Sequence, residues 1–386
     1  MVLKKKEELS IIPDRKLTKL ARSFEIDDNI AIRGDKTYKG HVISFEELYD
    51  LMSQMRGIQE SLEKTYPDLL YEQKETLIYN STSEALKEIL RFLKTIDNDL
   101  YLFALKLFVG QGNGSIEIYN KFDNNNHNNK GNRSCNNRDG SIYLVLNQDI
   151  SKEEANLVSS VLKTDKCSIS EVIVMMHEIS HSFDRGDITL KRFGKNAFAP
   201  ISLATAFYLP ETTAIFFETL FAQYFINKYP AYKNTIDRII GNRARSKLKS
   251  VDKTYVKAGL VKIKKEKGYV PENYLTCLKG EDLSKRVREV LLKEPNLSFS
   301  RRYALAMLFV PTMVKVYNEN PKEGNDRIRK YLKCNRENDF DGALAAFGID
   351  LDNKESVKSL IYNYKDFIIK YCCKDLEKGK EEDFII

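Results

Sequence analysis

The sequence predicts a mainly α fold with a small β-sheet just ahead of the helix that carries two of its four histidines. Three observations predict it. Helix-start signatures of the form Ser-x-x-Glu recur through the N-terminal half, each followed by apolar residues on a 3.6 period. Alternating, strand-like patterning is confined to one stretch, residues 115–146. From Ser168 onward the periodicity is helical again, with turn signals at Pro230, Gly268 to Pro271, Pro295, Pro321 and Gly348.

Along the chain, Ser44-x-x-Glu47 leads into Leu48, Leu51, Met52, Met55 and Leu62. Ser81-x-x-Glu84 leads into Leu86, Ile89, Leu90, Leu93 and Ile96, and Ser151-x-x-Glu154 into Leu157 and Val161. In each, the hydroxyl can accept from the amide three residues on while the carboxylate reaches back, so two orphan donors of the first turn are satisfied. Ile116 and Ile118, then Ile142, Leu144 and Leu146, alternate as the half-buried strands of a hairpin would. The Asn-rich segment 123–139 between them has too few apolar residues for a core and reads as a long disordered hairpin loop, with His127 solvated in it. A soft boundary near residue 165 separates an N-terminal helical region with the sheet (1–165) from a helical region (166–386) that holds the chemistry.

The composition agrees. With 386 residues, 42% hydrophobic and 30% charged, the chain can bury a sizeable core, which excludes collagen-like, wholly disordered and multi-pass membrane classes. Lys106, Glu211 and Glu218 interrupt the most apolar stretches, so no membrane span is expected. The start, Met-Val-Leu-Lys-Lys-Lys-Glu-Glu, has no apolar run behind its charges, so no signal peptide and a cytoplasmic location are expected. The six cysteines show no CxxC or framework spacing and read as reduced thiols.

Histidine is scarce, which makes its clustering informative. Ser168-x-x-Glu171 starts a helix that continues through His177-Glu178-Ile179-Ser180-His181, an H-E-x-x-H pattern. Four residues is a little over one turn, so the two imidazoles project from one face and can bind one Zn²⁺. Glu178 lies about 100° around the helix, close to the metal without ligating it, where it can take a proton from the attacking water. Val172, Met175, Ile179 and Phe183 form the opposite, core-facing stripe. By chance alone the pattern would arise in roughly a few of every thousand such chains.

A catalytic zinc needs a third protein ligand and an open position. Asp187 stands where an extended H-E-x-x-H pattern would put one, but that pattern wants Gly at the sharp turn and the chain has Asp184. The stronger candidate is Glu211, which follows Pro210 in the first turn of the next helix, ahead of small residues that permit close helix approach. Glu218, two turns further on the same face, could ligate instead or accept from the N–H of a ligand histidine.

These residues resemble those of the oligopeptidase F and thimet oligopeptidase family of zinc peptidases: His177-Glu-Ile-Ser-His181, the frame from Glu211 to Glu218, and Tyr303-Ala-Leu-Ala306. The likeness covers about residues 168–318. It implies a helical, two-lobed metallopeptidase of the gluzincin type, with a small sheet near the zinc-binding helix and a peptide or oligopeptide substrate in a channel. It further implies His177, His181 and Glu211 as zinc ligands, Glu178 as general base and Tyr303 as the donor to the oxyanion. A protease specific for one folded protein and a non-catalytic zinc or peptide-binding relative are the rival expectations.

Charge is concentrated rather than spread. The chain has 62 Lys and Arg against 55 Asp and Glu, a net charge of +7, and residues 243–267 alone hold ten basic residues against Asp252 and Glu266. That segment reads as a solvated face or a site for an acidic partner or substrate. Nucleic acid is disfavoured, since only Tyr255 and Tyr269 interleave the charges.

Overall fold

The computed structural model describes residues 39–67, 69, 77–79, 82–108, 114–120, 133–136, 142–148, 167–183, 208–267, 297–373 and 384–385. They are mainly α, as the sequence predicts. The helices are α1 (Phe45–Thr65), α2 (Thr82–Ile96), α3 (Asn98–Phe108), α4 (Ile169–Phe183), α5 (Pro210–Lys228), α6 (Lys233–Lys267), α7 (Leu297–Glu319), α8 (Pro321–Arg336), α9 (Phe340–Ala345) and α10 (Lys354–Cys372).

The hydroxyl half of the helix-start signals works as read at Ser44 and Ser168, and the carboxylate half at Glu171, while Glu47 Oε2 pairs with His41 Nε2 instead. Ser44 Oγ accepts from the Glu47 amide at 3.1 Å. At α4 the box closes reciprocally: Ser168 Oγ accepts from the Glu171 amide at 3.1 Å, and the Ser168 amide donates to Glu171 Oε2 at 2.6 Å. Ser81 and the segment 151–161 lie outside the described residues.

Two small sheets flank α4. One has β1 (Leu77–Tyr79) between β5 (Cys167–Ser168), antiparallel, and β6 (Phe384–Ile385), parallel. The other has β4 (Ile142–Gln148) between β2 (Gly114–Asn120) and β3 (Arg133–Asn136). This corrects the hairpin expectation in two ways. β2 and β4 run parallel, with Ile116 opposite Leu144, and residues 133–136 of the expected loop form an edge strand antiparallel to β4. Alternation reports which face a residue occupies and not its partner's direction, and an edge strand pairs through backbone groups that need no apolar pattern. The remainder of segment 123–139, with His127, lies outside the described residues.

The core is built by helix packing. α4 lies on α5, α5 on α7, α7 on α6 and α10, and α1 on α6 and α10. The predicted stripe of α4 is buried throughout, at 0, 2, 0 and 1% exposure for Val172, Met175, Ile179 and Phe183. Each such side chain contributes about 1.5–3 kcal/mol relative to exposure. The opposite face is buried too, so α4 is an interior helix whose polar side meets other polar groups rather than solvent. α6 and α10 approach closely at Gly241, where a methyl group would overlap the carbonyl oxygen of Tyr371. Beside that contact Arg245 Nη2 donates to the Cys372 carbonyl at 2.6 Å. No helix among the described residues is long and apolar enough to cross a membrane, and Cys334, Cys372 and Cys373 are free thiols.

The linear run of basic residues does not survive folding as one patch. Winding residues 243–267 into α6 buries Arg245, Lys247 and Lys257, turns Arg243 onto a carboxylate of α5, and leaves Lys249 and Lys265 exposed.

Candidate metal centre

Four helices, α4 to α7, bring the candidate side chains to one buried point. His177 and His181 lie one turn apart on α4, their ring centroids 4.8 Å apart and their planes perpendicular. Glu211 enters from the first turn of α5, where Pro210 opens the helix and the partial positive charge of the unpaired amides favours a carboxylate. Thr212, Thr213 and Ala214 are fully buried behind it, which lets the two helices close.

Glu211 Oε2 stands 3.3 Å from His177 Nε2 and 3.9 Å from His181 Nε2. Ligand atoms from the three residues all lie within 4.8 Å of one another. A tetrahedral ion with bonds of ~2.0–2.1 Å sets its ligand atoms about 3.4 Å apart, so the spacing suits a Zn²⁺-sized cation. Glu211 Oε2 is also buried and has no hydrogen bond of good geometry among the described residues, its contact with His177 Nε2 being an ion pair at 3.3 Å. Burying a carboxylate oxygen unpaired is costly, and a cation shared with the two imidazoles would satisfy it. The donor set of two imidazoles and one carboxylate is the one that borderline-soft divalent ions prefer.

The remaining groups orient these three. Glu218 Oε2 accepts from His177 Nδ1 at 2.8 Å, which directs the Nε2 lone pair toward Glu211 and His181. Glu218 itself is held by Arg243 Nη2 and Lys247 Nζ, each at 2.6 Å. The Tyr303 hydroxyl, from α7, donates to Glu211. Among the candidates of the sequence, His177, His181, Glu211, Glu218 and Tyr303 therefore come together, with Glu178 beside them on α4. Asp184 and Asp187 lie outside the described residues. Arg243 and Lys247 were not expected here, because each reads in the sequence as one more cation of a basic run. Their four-residue spacing among the apolar Ile239, Ile240 and Ala244 is the signal that could have marked a buried face.

The electrostatics follow from burial and pairing. Burial works against protonated His177, but Glu211 and Glu218 outweigh it and raise the imidazole to about 9. A cation shared by the cluster would do the same electrostatic work as that proton. Glu178 is pushed up to about 7, first by burial and then by the nearby Glu211 and Glu218, against the pull of His177 and Arg243. Burial opposes ionised Glu211, yet His181, His177 and Tyr303 bring it down to about 2. Glu218 is held well below the usual carboxylate range, because Arg243 and Lys247 overcome its burial. Tyr303 is raised by burial and then by Glu211, so its phenol stays a proton donor.

No family model and no curated protein matches this chain. Among solved structures it is similar to one described as "putative peptidase from Chlamydophila abortus", at 15% sequence identity with a TM-score of 0.51. The similarity covers 94% of this chain and 56% of that one, so the chain spans little more than half the length of its structural relative. At that identity the likeness is one of fold.

Proposed function

We propose that the chain is a zinc-dependent metallopeptidase of the gluzincin type that hydrolyses peptides or oligopeptides. The observation that carries this reading is the buried Glu211 Oε2 facing two imidazole Nε2 atoms at 3.3 and 3.9 Å. The H-E-x-x-H spacing on α4 and the fold likeness to a protein described as a "putative peptidase" support it.

In this reading His177 and His181 hold Zn²⁺ through Nε2 and Glu211 through its carboxylate. When bound, the ion acts as a Lewis acid on the scissile carbonyl. Glu178 accepts a proton from the attacking water and returns it to the leaving amine. The Tyr303 hydroxyl turns from Glu211 to donate to the oxyanion of the tetrahedral intermediate, in a site that excludes most water. Glu218 keeps the His177 ring in the orientation and tautomer that ligation needs.

The test pairs metal content with turnover. The purified protein should bind one Zn²⁺ and cleave unstructured peptides. Glu178→Gln should keep the zinc and lose roughly 10²–10⁴-fold in kcat. Full peptidase activity in Glu178→Gln, or zinc that stays when both histidines are replaced, would falsify the assignment.

A further inference from the structure

α6 packs beside α5 and sends two cations to a single carboxylate. Lys247 Nζ donates to Glu218 Oε1 and Arg243 Nη2 to Glu218 Oε2, both at 2.6 Å. His177 Nδ1 reaches that same Oε2 at 2.8 Å. Both oxygens of Glu218 are therefore engaged, and the one that orients the imidazole is shared with the guanidinium. Lys247 Nζ also donates to the Arg243 carbonyl at 3.2 Å, which ties the two cations to one turn of α6. Side-chain exposures of 4% for Glu218 and 7% for Lys247 bury the carboxylate and the ammonium, and Arg243, at 24%, closes the cluster from a partly exposed position. It borders a small void walled by Ile173, Ile215, Ile239, Ile240, Met307 and Phe367.

Glu218 and Glu211 are both buried and ionised, so two cations balance the charge of the cluster, but charge balance does not require both of them to sit on one carboxylate. What two cations add is geometry. A carboxylate held at one oxygen can swing about its last torsion, whereas one held at both cannot. With Glu218 fixed, His177 Nδ1 has one direction in which to donate, and Nε2 one direction in which to present its lone pair.

We propose that Arg243 and Lys247 are positioning residues of the metal centre: by clamping both oxygens of Glu218 they fix the His177 ring for ligation. The inference rests on the metal-site reading above and extends it by one layer, onto a helix that supplies no ligand. The segment is thereby divided between a solvated face and a functional one.

The experiment measures the Zn²⁺ dissociation constant of the full chain by competition with a chromophoric chelator, and the visible spectrum of the Co²⁺-substituted protein. Lys247→Met, similar in volume, and Arg243→Gln should each weaken Zn²⁺ binding on the order of 10–100-fold and perturb the cobalt bands. Lys247→Arg, which keeps a donor on Oε1, should recover part of the loss. As a control, Arg56→Met removes another partly buried ion pair of α6, that of Arg56 with Asp252, and should lower Tm with the dissociation constant unchanged. If Lys247→Met and Arg243→Gln lower Tm as the control does but bind zinc as tightly as the parent, the clamp is only structural and the proposal is wrong. A parent protein that takes up no zinc sinks the metal reading and this one with it. Should Lys247→Met fail to fold, Arg243→Gln, at a partly exposed position, decides the matter alone.

Discussion

α5 carries two clusters built from the same parts. At one, Glu218 receives Arg243, Lys247 and the imidazole of His177. At the other, Tyr224 and Lys228 of α5 reach Glu88 of α2, joined by Arg91. Each has a carboxylate no more than 4% exposed and two cations with a third donor. The cations differ: Arg91 and Lys228 are 62% and 32% exposed, against 24% and 7% for Arg243 and Lys247. So does the third donor, which is a phenol at Glu88 and a candidate metal ligand at Glu218. One arrangement therefore staples two helices at the surface, while the other holds the His177 imidazole inside.

The difference can be pressed by mutation. On the proposed reading the largest expected effect is that of Glu178→Gln, beside the Glu218 cluster: turnover should be lost with zinc retained, an outcome with no counterpart at Glu88. Next is Glu218→Gln, which should weaken Zn²⁺ binding on the order of 10–100-fold, as read by chelator competition. Glu88→Gln should leave that constant where it is and destabilise the fold by about 1–2 kcal/mol, read from the midpoint of urea unfolding. The mildest effect is that of pH. Burial would raise Glu88, but Lys228, Tyr224 and Arg91 hold it below the ordinary 4.5. Its stabilising contribution is thus complete above pH 4.5 and lost as pH falls through the depressed folded value. The difference in stability between parent and Glu88→Gln should shrink over that acid range, and an unchanged difference would remove the ion pairs from the account.

What could be read in advance divides along sequence distance. The start of α4 and its paired histidines are local: Ser168, Glu171, His177 and His181 signal within a few turns of one helix. Glu211 was readable because Pro210 announces a helix start, and Glu218 because it repeats the face two turns later. Arg243 and Lys247 were hidden, since their partner lies 25 and 29 residues away and a run of cations has the same appearance whether solvated or buried. The parallel pairing of β2 with β4 was hidden for a related reason: period-2 alternation assigns a face and leaves the neighbour open. Tyr303 followed only from the resemblance, because one tyrosine among 21 has no local mark that separates it from a core aromatic.

Gly241 stands two residues before Arg243, at the point where α6 meets α10. A helix is a stiff rod, so the depth to which it seats at one contact sets the reach of side chains a turn further along. The missing methyl group at Gly241 lets α6 seat against the Tyr371 carbonyl, and Arg245, next in line, locks that seating through the Cys372 carbonyl. The C-terminal end of α10 thereby acts as a depth gauge for the clamp on Glu218. A residue with no side chain thereby bears on how Arg243 and Lys247, further along the same helix, reach Glu218.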